Sequence, residues 1–152
     1  MSRTVLVIGS TGILAPAAFA LFERGDRVLG VSRGGAEGSI AVDARDAGAL
    51  SNALEAADWD DAVAYGPAVS DASLRFVRAA TTGRCVLVRT SSAADPALGI
   101  LIVPRDTLQL GWTAESEPRW HTPDEVSAAA LDVLADGEPR TLGTVRPWSD
   151  RP

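Results

Sequence analysis

Lysine is missing altogether: the chain has 152 residues, and all 14 of its basic residues, from Arg3 to Arg151, are arginines. No Schiff-base lysine and no P-loop lysine is therefore available. Cysteine, methionine, tyrosine and histidine occur once each, as Cys85, Met1, Tyr65 and His121. A lone cysteine closes no internal disulfide, and one histidine with one cysteine builds no zinc site unless several carboxylates converge, so no metal is expected. Positive charge is scarce too, 14 basic against 20 acidic residues for a net charge of −6, with no basic cluster. Binding a phosphate backbone needs local positive charge, so no nucleic-acid partner is expected. Apolar runs are short. The first, Val5 to Ile8, stops at Gly9, far below the roughly 20 residues that cross a bilayer and unlike a signal-peptide core. The expectation is a cytoplasmic protein with no membrane partner. There is no Gly-x-Ser-x-Gly elbow of a serine hydrolase. No internal repeat or linker divides the chain, so residues 1–152 are expected to form one domain.

What is present is an alternation of short apolar runs with alanine-rich segments of helical length, the pattern of an α/β fold with helices on both faces of a mostly parallel sheet. Thr4 to Ile8 reads as a central strand covered on both faces. Gly12 to Arg24 carries Leu14, Ala17, Ala18, Leu21 and Phe22 at helical spacing and is ended by Gly25. Further strands are expected at Arg27 to Ser32, Ser39 to Asp43, Asp61 to Tyr65 and Arg84 to Arg89, with a loop from Gly34 to Gly38. Helices are expected from Asp46 to Ala57 and from Ser70 to Thr82, with Asp46 and Ser70 as caps. After Ser91 and Ser92, only a few small residues precede a sixth apolar run, Ile100 to Val103. No full crossover helix fits there, so this run is expected either to pair antiparallel or to mark a lost helix. Thr122-Pro123-Asp124-Glu125 is a capping box with proline at the first helical position. It opens a helix that Gly137 and Pro139 end, and Thr141 to Val145 is expected as a last strand at a sheet edge.

The segment Gly9-Ser10-Thr11-Gly12-Ile13-Leu14-Ala15 lies between the first strand and the first helix and spaces glycine, glycine and alanine three residues apart. Gly9 suits a tight turn, Gly12 a close backbone approach to a pyrophosphate, and Ala15 close helix-to-strand packing, while the helix N-terminus offers N–H groups to an anion. A purely structural turn is the alternative. At the end of the second strand, where Asp or Glu would accept from a ribose 2′-hydroxyl, stand Ser32 and Arg33. An arginine fork matches a 2′-phosphate, which points to NADP(H), unless Arg33 is a solvated loop charge. Asp43 and Ala44 close the third strand where an adenine edge would lie, or serve as turn residues.

These residues resemble the short-chain dehydrogenase/reductase superfamily, in its atypical members with a Gly-x-x-Gly-x-x-Ala turn. The resemblance runs from Thr4 to about Ser92 through Gly9 to Gly12, Ser32-Arg33, Val42-Asp43, Ala64-Tyr65-Gly66 and Thr90-Ser91-Ser92. Arg119-Trp120-His121-Thr122 and Gly143 to Trp148 look like small bacterial proteins of the same description. The resemblance implies a Rossmann-like NADP-binding fold with a shortened C-terminal substrate region. It also implies that Gly9, Ser10, Thr11, Gly12 and Ile13 cradle the pyrophosphate and that Ser32 and Arg33 hold the 2′-phosphate. Asp43 and Ala44 would meet adenine, and Tyr65 and Gly66 the adenosine ribose side. Ser91 or Ser92 would stand where the family's catalytic serine bonds the reacting carbonyl. The family's Tyr-x-x-x-Lys helix has no counterpart: no tyrosine follows Tyr65, and there is no lysine.

Without that pair, the proton for a reduced carbonyl must come from another group. The candidates are Ser91 or Ser92 by position, Tyr65 at a strand terminus, and His121, whose type ionises near neutrality. Trp112 and Trp120 flank Thr113 to Arg119, where a substrate lid would lie. The alternative is that Trp59, Trp112, Trp120 and Trp148 are anchors of the core or of a subunit interface. The expectation is a small NADP(H)-dependent oxidoreductase, homo-oligomeric, acting on a small carbonyl, imine or enone in a biosynthetic step. Two rivals stand beside it: a non-redox cyclase, isomerase or lyase using the same cleft, and an inactive NADP-binding sensor.

Overall fold

Aliphatic side chains that alternate between two covered faces make the first strand. In β1 (Thr4–Ile8), Val5 and Val7 join a core with the helices of one sheet face, while Leu6 and Ile8 join the core on the other. The computed structural model describes residues 2–36 and 38–152. Of the loop expected from Gly34 to Gly38, Glu37 therefore lies outside the described residues.

The elements follow as α1 (Ala15–Glu23), β2 (Arg27–Ser32), β3 (Ser39–Ala41), α2 (Ala47–Ala53), β4 (Asp61–Tyr65), α3 (Asp71–Ala80), β5 (Cys85–Arg89), β6 (Thr107–Leu110), α4 (Pro123–Asp136) and β7 (Arg140–Leu142). Among the described residues, seven strands form one sheet in the order β3-β2-β1-β4-β5-β6-β7, with all pairings between them parallel. Leu14, Ala17 and Leu21 with Val126, Ala130 and Val133 place α1 and α4 on one face. Leu50 from α2 and Leu74 and Val77 from α3 cover the other. This is a three-layer, Rossmann-like α/β fold, and its order reverses direction between β1 and β4, where open parallel sheets leave a crevice beyond the strand ends. Among the described residues, no helix is long and apolar enough to cross a membrane.

The expected sixth strand is corrected. Ile100 to Val103 forms no strand, and Ile100 and Ile102 are solvent-exposed. The sixth strand is Thr107–Leu110, buried along its whole length, and it pairs parallel to β5. Residues 90–106 make the crossover without an α-helix, through 3-10 turns at Ser91–Ala94 and Pro96–Leu98. The apolar run misleads because the real strand carries a buried glutamine. Gln109 accepts from Arg89 Nε (3.0 Å) and donates to the carbonyls of Thr90 and Leu110 (2.9 and 3.0 Å), so its polarity is satisfied inside. The same bonds fix the chain just beyond β5, where a functional wall begins.

Candidate functional site

Two clefts open beyond the C-terminal ends of the strands, and they share Tyr65 as a common wall. Tyr65 ends β4, half-buried, at the point where the strand order reverses. Its Cβ would lie 3.2 Å from a Cβ added at Gly9, which has φ of +97°. Glycine at position 9 thus serves both the turn and the packing of the tyrosine.

The first cleft, of about 270 Å³, is lined by Gly9, Thr11, Gly12, Ser32, Arg33, Asp43, Ala44 and Tyr65, together with Arg45 and several apolar neighbours. Gly12 is the informative glycine. A Cβ there would meet nothing closer than the Gly9 carbonyl at 3.9 Å, and its φ is not in the left-handed range. Among the described residues nothing crowds this position, and it lines the open cleft. The adjoining helix points the same way. Asp46, Ser70 and Thr122 cap α2, α3 and α4 with their side chains, whereas α1 has no side-chain cap and no acidic residue in its first turn. Its N-terminus is left to an anion. These features fit a dinucleotide pyrophosphate.

At the far end of this cleft the charges gather. Ser32 is buried and its Oγ accepts from the Gly35 N–H (3.2 Å), while Arg33 is exposed. Asp43 and Arg45 pair through two bonds, Nε to Oδ1 at 3.1 Å and Nη2 to Oδ2 at 3.0 Å. These bonds, with the Arg45 backbone N–H and the charge of Arg33, hold the Asp43 carboxyl down at about 2. Arg45 was not singled out from the sequence. Its signal is its position two residues past the third strand's closing aspartate, beside Arg33.

The second cleft, of about 260 Å³, is lined by Ile13, Tyr65, Thr90, Ser91, Leu110, Gly111, Trp120, His121 and Val126. Burial raises the Tyr65 phenol above its ordinary value, so it stays protonated and able to donate. The chain from Trp112 to Glu125 sets the outer wall. Trp112 pairs antiparallel with Trp120, and Thr113 N–H donates to the Arg119 carbonyl (2.9 Å). Immediately afterwards Thr122 and Glu125 close both halves of the capping box. Trp120 and His121 are the two residues between these fixed points. Arg119 bonds Glu125 (2.8 Å), and this bond first, then the Thr122 N–H, lowers the Glu125 carboxyl to about 2. The His121 side chain is 8% exposed, its Nδ1 lies 3.8 Å from Glu125, and neither ring nitrogen has a hydrogen-bond partner.

The residues named from the sequence thus divide. Gly9, Thr11, Gly12, Ser32, Arg33, Asp43 and Ala44 line the first cleft, Tyr65 lines both, and Ser91, Trp120 and His121 line the second. Ile13 lines the second cleft and not the first, and its carbonyl accepts from Ser127 Oγ of α4 (3.0 Å). Four lie outside both linings. Ser10 Oγ faces Ser39 Oγ at 3.1 Å, and Ser92 Oγ faces Thr90 Oγ1 at 2.7 Å. Gly66 is packed so that a Cβ would lie 2.9 Å from the Val88 carbonyl. Trp112 is fully buried beneath Trp120, edge-on at 6.2 Å between ring centres. Thr90, named only as part of the Thr90-Ser91-Ser92 segment, and Leu110, Gly111 and Val126 were not expected to line a site, because nothing in an apolar or small residue's type announces a cleft.

The sequence matches no protein-family model and no curated protein. The likeness is in the fold. A short-chain dehydrogenase from Burkholderia cenocepacia, solved with NADP, is 14% identical, with a TM-score of 0.62 over 95% of this chain and 91% of that one. A short-chain dehydrogenase/reductase from Veillonella parvula, also solved with NADP, is 11% identical, with a TM-score of 0.55 over 100% of this chain and 99% of that one. A Burkholderia pseudomallei protein described as exported is 14% identical, with a TM-score of 0.59 over 93% of this chain and 100% of that one.

Proposed function

We propose that this chain is a single-domain, NADP(H)-dependent reductase of a small carbonyl, imine or enone. The observation that carries the proposal is the junction of two unlike clefts at Tyr65: one with an open glycine cradle and two arginines, the other with hydroxyls and an imidazole. The NADP complexes of the Burkholderia cenocepacia and Veillonella parvula proteins support the choice of cofactor. In this reading Gly9, Thr11 and Gly12 hold the pyrophosphate with the N-terminus of α1, Arg33 and Arg45 meet the 2′-phosphate, and Asp43 and Ala44 flank the adenine. When bound, the reduced nicotinamide supplies hydride to the carbonyl carbon and is left oxidised.

The chain's own residues manage the oxygen. As the C=O π bond breaks, its electron pair goes to oxygen, and the Tyr65 and Ser91 hydroxyls donate hydrogen bonds there. The raised Tyr65 pKa keeps the phenol intact at neutral pH. An alkoxide is far more basic than a phenolate, so the proton passes from Tyr65 to the new alcohol and is restored from water. A lysine ammonium beside the phenol would lower its pKa; with none present, burial raises it and Tyr65 stays in its donor form, the basicity of the alkoxide drawing the proton across.

Titration with NADPH and NADH, followed by cofactor fluorescence, tests the reading. NADPH is expected to bind more tightly and to be oxidised in the presence of a suitable carbonyl. Failure of both nucleotides to bind would remove the reductase and leave a non-redox enzyme. Binding without turnover across a carbonyl panel would make the chain a sensor. Replacing Arg33 by alanine is expected to weaken NADPH by about 1.5–3 kcal/mol and NADH little, as for loss of one charged hydrogen bond. Self-association belongs to the same proposal: Phe19 and Phe22 on α1 are about two-thirds exposed, and a second copy would cover them. A monomeric mass by light scattering would remove that part.

A further inference from the structure

Among the described residues, the lining of the second cleft contains no aspartate, glutamate, lysine or arginine. The charges behind its outer wall sum to an excess of acid: Arg119 is spent on Glu125 at 2.8 Å and reaches Glu115 at 3.8 Å. Glu125 in turn stands 3.8 Å from His121 Nδ1, so the field behind the histidine is not positive. A carboxylate entering this cleft would lose water and find no cation to replace it, which is costly for any buried anion. The apolar part of the lining is substantial. Ile13, Leu110 and Val126 form one wall, and Trp120, 47% exposed although its backbone is fixed on both sides, forms another. Trp120 is braced by its edge-on contact with the buried Trp112. A rigid, exposed indole beside aliphatic side chains is a platform for a flat apolar group. Tyr65 and Ser91 supply hydroxyls on the same lining, while both ring nitrogens of His121 are buried, Nε2 against Gly143.

We infer that the second cleft takes an uncharged, single-ring carbonyl compound, with the ring against Trp120 and the carbonyl oxygen toward Tyr65 and Ser91, and that it excludes ring carbonyls bearing a carboxylate. This rests on the proposed reductase and names its substrate class. The volume, about 260 Å³, suits one ring with a short substituent. The redox step is the one already given: hydride to the carbonyl carbon from the reduced nicotinamide dinucleotide, proton to the oxygen, alcohol and oxidised dinucleotide as products.

The test uses acetophenone and 4-acetylbenzoate, which differ by one carboxylate. The indole N–H signals of the 15N-labelled protein, with Trp120 identified from its loss in Trp120→Phe, are followed without any nucleotide. Acetophenone is expected to move the Trp120 signal saturably, and 4-acetylbenzoate to bind at least tenfold more weakly. Thr90→Arg places a cation in the lining and is expected to reverse the order of the two ligands. Equal or tighter binding of the carboxylate to the native chain, or an unmoved Trp120 signal with acetophenone, overturns the inference. Acetophenone binding in a protein that binds neither NADPH nor NADH would defeat the reductase and leave the ligand class standing. NADPH oxidation faster with 4-acetylbenzoate than with acetophenone would defeat the ligand class and leave the reductase.

Discussion

The two clefts that meet at Tyr65 have similar volumes and opposite chemistry. The first carries Arg33, Asp43 and Arg45 and an open glycine cradle, while the second has, among the described residues, no carboxylate or arginine in its lining and an exposed indole. A parallel sheet that reverses order at β1 and β4 provides the crevice, and the residues past each strand end decide what each side of it attracts. Charge beyond β2 and β3 suits a phosphate-bearing ligand; hydroxyls beyond β4 and β5 suit a carbonyl. One residue belongs to both, so the division of labour can be broken there first.

Tyr65→Phe keeps the ring against Gly9 and removes only the hydroxyl. If Tyr65 is the proton donor, turnover falls by about 10²–10⁴-fold, the span of general-acid contributions, with NADPH affinity unchanged. A turnover equal to that of the native chain would confine Tyr65 to packing between the clefts. Gly12→Leu separates the clefts from the other side. A Cβ there meets no protein atom closer than 3.9 Å, and the position is not in the left-handed range, so the protein is expected to fold while NADPH weakens by about 100-fold, the loss of charged hydrogen bonds to a displaced phosphate. Acetophenone binding should be untouched, and native-like NADPH titration of this variant would sink the cradle. Arg45→Ala is expected to do less. Arg45 already serves Asp43, so its removal costs one shared contact, about tenfold or less against NADPH with little change for NADH. Equal loss for both nucleotides would remove Arg45 from the 2′-phosphate.

How much of this was legible in the sequence depends on which physical signal each part leaves. The glycine turn, the capping box of α4 and strands β1, β2 and β4 announce themselves through local chemistry, and the structure forms them within a residue or a few of the expected bounds. β6 does not, because its burial is decided by neighbours: Gln109 is an interior residue only once Arg89 and two carbonyls bond it. Ile100 to Val103 misleads for the converse reason, apolar side chains with no sheet edge to occupy. In the site, charged residues after strands were readable and Arg45 followed the same logic. The second cleft was half readable: Tyr65, Ser91, Trp120 and His121 are uncommon or well-placed residues, whereas Leu110, Gly111 and Val126 acquire meaning only from three-dimensional neighbours. Trp112 and Trp120 looked equivalent in sequence, but Trp112 packs among Ala94, Val145, Leu101 and Trp148 and is buried, while Trp120 stays exposed.

The smallest expected effect concerns acid. Glu125 in the folded chain titrates at about 2, below the 4.5 of an unperturbed glutamate, because Arg119 and the Thr122 N–H hold its charged form. A depressed carboxyl stabilises the fold fully above the unfolded value and loses that contribution as pH falls toward the folded one. The link carrying Trp120 and His121 should therefore loosen between about pH 4.5 and 2, seen as a shift of the Trp120 indole signal. Asp43 titrates at about 2 as well, so acid weakens both clefts and does not by itself tell them apart. Glu125→Gln does. Glutamine still accepts from the Thr122 N–H and so keeps the capping box, but it has no charge to lose. Its Trp120 signal is expected to stay constant through that pH range while nucleotide binding keeps its native acid dependence. A Trp120 shift identical to the native chain's would mean that the second cleft is held by packing on Trp112 alone, with the ion pair as surface decoration.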